Sequence, residues 1–286
     1  VKARFSCVPC FVKQAMNAIR LSTEDPAVQQ RAMDLVLLRL RGIDLSQSPA
    51  LLSNIVYEAA REVTGVRDPF AQAKRETNAA ALALLPALRR KIDSAADPLH
   101  TAIKAALSGN IIDLGIGHKF DIARDVERMM DAELTIDDYA AFLGALGGAR
   151  RLLYCCDNSG EIAFDCLLIE RLRERCAVTA TVKSLPIIND ATMEDAEAVG
   201  LTRLIPVIET GTDYIGVHWE RSSAEFRRAF LEADLIIAKG QGNFETLNTR
   251  REEIFFLLKA KCAEVASELG VAEGSTVFLR NRARGG

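Results

Sequence analysis

No run of apolar residues in the 286-residue sequence approaches the roughly 20 needed to span a bilayer. The stretches Leu235–Ala238 and Ile254–Leu258 have strand length instead. The start of the sequence lacks the basic segment, continuous apolar core and small-residue cleavage site of a signal peptide, so a cytoplasmic address is expected. A strong charge of either sign is also missing. The formal net charge is -3, which directs no global field at nucleic acid or an anionic membrane surface. Arg280, Arg282 and Arg284 make the C-terminal end locally basic, and a solvated tail explains them. Histidine is scarce: His100, His118 and His218 are not paired at metal-ligand spacing, which leaves a histidine-based nucleophilic triad little support. The seven cysteines are odd in number and scattered through a long chain, which excludes a secreted disulfide framework and favours reduced thiols. Repeats and low-complexity tracts are absent.

What is present is ordinary globular composition, 49% hydrophobic and 26% charged, with enough length for one large domain or two moderate ones. The first half has helical periodicity over Phe11–Leu21, Ala27–Arg41, Ser48–Thr64, Phe70–Ile92 and Leu99–Leu107. Asp25-Pro26, Ser48-Pro49, Asp68-Pro69 and Asp97-Pro98 each place a capping side chain before a proline, which predicts helix starts near 26, 49, 69 and 98. Pro86 should kink or divide the fourth pattern. In the second half the period shortens. Arg151–Asp157, Val178–Leu185, Leu204–Thr210, Leu235–Lys239, Ile254–Leu258 and Thr276–Leu279 read as strands, with helical patterns between several of them. That alternation predicts an α/β fold with a mostly parallel sheet flanked by helices, preceded by an all-helical region. The junction falls in Ala141–Ala149, giving a helical N-terminal domain over 1–148 and an α/β domain over 149–286.

Ligands of open α/β sheets bind where strands hand over to loops at their carboxyl ends. The first strand runs into Asp157-Asn158-Ser159-Gly160-Glu161. Asp157 and Asn158 offer hard oxygen ligands for a divalent cation, while Ser159, Gly160 and the next helix's N-terminus offer donors to an anion. The same residue types also make an Asx turn that caps a helix. The second strand leads to Asn189-Asp190-Ala191-Thr192, where Asp190 is placed to complete a carboxylate and carboxamide metal site. Thr192 with Asp195 three residues on reads as a near capping box, a structural role. The fourth strand ends in Lys239-Gly240-Gln241-Gly242-Asn243-Phe244-Glu245, two glycines for close backbone approach beside a lysine suited to phosphate. Neither the P-loop spacing nor the dinucleotide-binding glycine pattern is met.

A cation held by carboxylates near a lysine and spare N–H donors suits phosphoryl chemistry, with metal-activated water attacking and Lys239 offsetting developing charge. Asp157 has no second aspartate two positions later, so it reads as a ligand rather than a covalent nucleophile. Asn110 and Asp113 interrupt the helical half and read either as a turn or as a substrate wall. Cys7 and Cys10 form a lone Cys-x-x-Cys without the second pair that a four-cysteine zinc site requires, and two thiols at a helix start suffice to explain them.

Together, Cys7-x-x-Cys10, Gly109-Asn110-x-Ile112-Asp113, Asp157-Asn158-x-Gly160-Glu161, Asn189-Asp190-x-Thr192 with Glu194-Asp195, and Lys239 through Glu245 resemble the DUF89 family. More narrowly they look like its damage-control phosphatase, ARMT1-like group, in the Cys-x-x-Cys-containing prokaryotic branch. The resemblance spans nearly the whole chain in order. It implies a Rossmann-like domain behind a helical region, and a metal-dependent phosphatase acting on small phosphorylated metabolites: sugar phosphates, damaged nucleotides or cofactor precursors. It also implies that Asp157, Asn158 and Asp190 hold Mn2+, Co2+, Ni2+ or Mg2+, that Lys239 faces the phosphate, with Gly240 and Asn243 beside it, and that Ser159, Gly160 and Glu161 touch the substrate. Two other readings stay open: a carboxyl methyltransferase using S-adenosylmethionine, and a non-catalytic protein that binds a phosphorylated metabolite.

Overall fold

The computed structural model describes residues 1–109 and 122–281. A 3-10 turn at Phe5–Cys7 opens into α1 (Val8–Ser22), α2 (Pro26–Leu40), α3 (Pro49–Thr64), α4 (Ala71–Asp93) and α5 (Pro98–Ser108). The proline punctuation works as its chemistry requires: Asp25 accepts the Ala27 N–H at 2.8 Å and Asp97 accepts the His100 N–H at 3.0 Å. Pro86 lies inside α4 without dividing it. After α6 (Ile122–Asp131) come a short strand β1 (Ile136–Asp137) and α7 (Tyr139–Gly148). The alternating half follows: β2 (Arg151–Cys155), α8 (Glu161–Leu172), β3 (Ala177–Val182), α9 (Met193–Val199), α10 (Leu201–Leu204) and β4 (Val207–Glu209). It continues through α11 (Ala224–Glu232), β5 (Leu235–Lys239), α12 (Gly240–Leu247), β6 (Ile254–Lys259), α13 (Ala263–Leu269) and β7 (Thr276–Arg280).

Among the described residues these strands make one seven-stranded sheet in the order β1-β7-β6-β5-β2-β3-β4. All pairings are parallel except β6 with β7. The chain moves from β2 outward through β3 to β4, then returns to place β5 on the other side of β2. The carboxyl ends of β2 and β5 therefore border the crevice where the winding reverses, the place where such sheets bind ligands.

The cores divide differently from the chain. Phe11, Val36, Val56 and Phe70 pack α1, α2 and α3 around a core of their own. By contrast, Leu85 of α4, Ile103 of α5 and Phe142 of α7 belong to the core on one sheet face, with Leu152, Tyr154 and Phe255. Phe142 sits edge-on to Phe255 and Phe278, each at 5.2 Å between centroids. The other face is filled by Phe226, Phe230, Phe244 and Phe256. No helix among the described residues is long and apolar enough to cross a membrane.

One polar contact ties α4 to the start of α9. Thr192 and Asp195 form the full capping box, with the Asp195 carboxylate accepting both the N–H and the hydroxyl of Thr192. Asp195 also meets Lys74 Nζ at 3.0 Å and accepts from Asn78 Nδ2 at 2.8 Å, all three side chains being buried. Asp195→Ala should leave a buried ammonium without this partner and cost about 3–5 kcal/mol in urea unfolding. A loss below about 1 kcal/mol, the size of an exposed pair, would contradict this reading.

Candidate active site

Backbone hydrogen bonds join the loop after β2 to the loop after β3. Ala191 N–H donates to Asp157 O at 2.8 Å, Ser159 N–H donates to Asn189 O at 2.8 Å, and Asn158 and Asp190 form an isolated antiparallel bridge. Two segments 30 residues apart in sequence are thereby held side by side, which brings Asp157, Asn158 and Asp190 together. The turn into Asp190 contains the one non-glycine residue with positive φ among the described residues, Ile188 at +40°. A β-branched residue there carries strain of about 1–3 kcal/mol, which persists only where the surroundings enforce it.

Asn158 donates from Nδ2 to Asp157 Oδ2 at 3.0 Å and to Glu161 Oε1 at 2.9 Å. With Nδ2 turned to these two acids, the carboxamide oxygen is left for another role. Behind Asp157 lies Gly240, with φ +78°; a Cβ at this position would fall 1.8 Å from Asp157 Oδ2. The close approach that the glycine permits is therefore to the Asp157 carboxylate, rather than to a ligand as the sequence suggested. Gly242 is likewise occupied within the protein, where a Cβ would meet Ile215 Cγ2 at 2.8 Å.

Asp157 opens partly onto a cavity but is otherwise surrounded by protein. Burial, then the neighbouring Glu161 and Asp190 carboxylates, push its carboxyl well above the usual range, against the opposing pull of Lys261 and Lys239. A cluster of negative charge held this way suits a cation. The donors fit a hard divalent metal: two carboxylates and one correctly oriented carboxamide oxygen. Among the described residues no three His, Cys, Asp or Glu side chains are grouped as a metal site.

Lys239 takes a different place from the one the sequence suggested. Its Nζ is fully buried and donates to Ala106 O at 2.9 Å, Glu161 Oε2 at 3.1 Å and Asp165 Oδ1 at 2.8 Å. An ammonium has three protons, and all three are engaged within the protein. Burial alone would lower its pKa; Asp165 and Glu161 outweigh that and hold it charged. Lys239 is thus the counter-ion beneath the site, not a phosphate contact. Glu161, expected to touch substrate, is shared between Lys239 and Asn158. Asn243 donates to Cys156 O at 3.2 Å and Lys239 O at 2.8 Å, strapping α12 to the ends of β2 and β5. The anion-binding N–H groups are also occupied: Gly160 donates to Asn78 Oδ1 at 2.6 Å and Ser159 to Asn189 O. The Ser159 hydroxyl is buried and has no hydrogen-bond partner among the described residues. Asn110 and Asp113 lie outside the described residues.

The cavity beside Asp157, Asn158 and Asp190 has a volume of about 490 Å³. Lys261, two residues beyond β6, lines it and is exposed. It adds positive charge to the cavity wall, and the strand-exit rule applied to Lys239 would have found it. Lys183 was also missed: buried, it lies 3.6 Å from Asp190 Oδ2 and donates to Gly216 O. Nothing local distinguishes it from any lysine ending a strand. Cys7 and Cys10 border the cavity with Cys262, and burial pushes the Cys7 and Cys10 thiols up. Replacing the central ammonium should be costly. Lys239→Met is expected to lose about 3–5 kcal/mol of stability at neutral pH, measured by urea unfolding, because Glu161 and Asp165 stay buried without their cation. Burial pushes the Asp165 carboxyl up, and a carboxyl raised in the fold favours folding at acid pH and loses that advantage as pH rises. The deficit should therefore shrink towards about pH 5, and a pH-independent deficit would contradict the assignment.

The family model of the damage-control phosphatase ARMT1-like domain matches residues 4–277. A damage-control phosphatase of Pyrococcus horikoshii is 38% identical over 99% of both chains. A damage-control phosphatase of Archaeoglobus fulgidus is 34% identical, covering 95% of this chain and 96% of that one. One from Arabidopsis thaliana is 27% identical over 96% of this chain and 85% of its own length. The crystal structure of a DUF89 family protein from Pyrococcus horikoshii superposes with a TM-score of 0.92, covering 99% of this chain and all of that one, at 38% identity. With the family model, a relative at 38% identity and the fold in agreement over nearly the whole chain, the chain belongs to the damage-control phosphatase ARMT1-like, or DUF89, family.

Proposed function

We propose that this chain is a divalent-metal-dependent phosphatase that hydrolyses phosphomonoesters of small metabolites, with sugar phosphates, damaged nucleotides and cofactor precursors as the substrate classes. The observation that carries this reading is the meeting of Asp157, Asn158 and Asp190 on the wall of one cavity that Lys261 also lines. Those three residues would hold Mn2+, Co2+, Ni2+ or Mg2+. A cation there supplies Lewis-acid polarisation of a phosphoryl oxygen and makes water more acidic. The remaining work belongs to the chain itself. Glu161 orients the Asn158 carboxamide, and Lys239, which also donates to Asp165, holds Glu161 from below. Gly240 leaves room for the Asp157 carboxylate. Lys261 brings positive charge to the cavity, where an incoming phosphate needs it.

The direct test is phosphate release from p-nitrophenyl phosphate with added Mn2+, Co2+ or Ni2+. Asp157→Ala and Asp190→Ala should each reduce kcat/KM by more than the roughly 10–100-fold that loss of an outer-sphere partner costs. Undiminished activity in either variant would sink the site. Metal binding should also release protons. The raised Asp157 carboxyl favours its protonated form in the metal-free protein, and a ligand must be ionised. Apparent Mn2+ affinity should thus increase as pH rises, with buffer-dependent binding heats in titration calorimetry. Heats independent of buffer ionisation would contradict that coupling.

A further inference from the structure

We propose that Ile188 is a specificity-determining partition, a side chain held in place by strained backbone that sets how large a leaving group the cavity accepts. This rests on reading the cavity beside Asp157, Asn158 and Asp190 as the place where the substrate's non-phosphate part sits.

Three observations carry it. Ile188 lines the large cavity next to Asp157, Asn158 and Asp190. It also lines a second, much smaller void of about 20 Å³, beside Tyr57, Arg61 and Phe70 of the helical region. It is the one residue common to the two linings. Its side chain packs against the core of α1, α2 and α3, so it stands between that core and the strand exits.

The backbone supplies the third observation. At φ +40° a β-branched residue is a rare outlier, and glycine or asparagine would be the relaxed choice. The conformation is enforced from both sides. Pro186 precedes the turn, Asp190 N–H donates to Ile187 O at 3.0 Å, and the next residue, Asn189, is bound through its carbonyl to Ser159. A position needing only the turn would be served better by a glycine. Isoleucine retains the strain and adds a four-carbon wall between two spaces. Strain that coincides with a site wall points to a role for the side chain itself.

The test uses the full chain with Mn2+ and two uncharged-leaving-group esters of different bulk, phenyl phosphate and 1-naphthyl phosphate. Ile188→Ala and Ile188→Gly both remove the wall, but only glycine also relieves the backbone. The naphthyl-to-phenyl ratio of kcat/KM should rise at least about tenfold in both variants, the low end of what one methylene is worth in an apolar pocket. The glycine variant should melt above the alanine variant, because it tolerates positive φ. An unchanged ratio, a glycine variant that melts below alanine, or failure of both variants to fold would each overturn the proposal. Absence of turnover by the unaltered protein on every ester and metal would instead fail the phosphatase reading, and the order of melting temperatures would still judge the strain.

Discussion

A lysine ammonium with no access to water forms the floor of the site. Lys239 lies between Glu161 and Asp165 and closes its third bond on the carbonyl of Ala106. The lysine and its partners come from three parts of the chain: Lys239 from the end of β5, Glu161 and Asp165 from the first turns of α8, and Ala106 from α5. Desolvating an ammonium and two carboxylates is costly, and the arrangement holds only because the charges and hydrogen bonds balance. The result is rigidity where it is needed. Glu161 cannot move without uncovering the ammonium, Asn158 follows Glu161, and the orientation of the Asn158 carboxamide follows in turn. A group that never touches substrate thus determines how the groups above it present their oxygens.

Much of this architecture is legible in the sequence. The proline-and-cap pairs mark helix starts because a missing N–H is harmless only in a first helical turn. The six apolar runs mark strands because a parallel sheet buried on both faces demands them. Asp157, Asn158 and Asp190 stand out because polar residues directly after such strands have few structural reasons to be there. The Thr192 and Asp195 box is equally local, and the structure holds it as written.

What sequence position cannot convey is direction. Lys239 and Lys261 both follow strands, yet one points under the sheet edge into two acids and the other lines the cavity. The difference lies in Asp165 and Glu161, one turn apart on α8, whose inward placement shows only once the helix is packed. Gly240 misled in the same way: its positive φ is real, but the atom it makes room for belongs to Asp157. The N–H groups after β2 are taken up by Asn78 and Asn189, partners 82 residues upstream and 30 downstream that no local pattern announces. Ion pairs formed across the fold are the part of a site that a linear reading lacks.

The separate packing of α1, α2 and α3 has a consequence for how the molecule can change. Phe11, Pro49, Ala50 and Ser53 from that region stand along the cavity, while the charged apparatus belongs to the sheet. The two walls are stabilised by different hydrophobic clusters, so drift in one is not transmitted automatically to the other. A lineage could remodel the helical wall to suit a new metabolite and leave the chemistry intact. One fold can in this way serve a series of small phosphorylated metabolites, keeping a fixed tool and exchanging the grip that holds the workpiece.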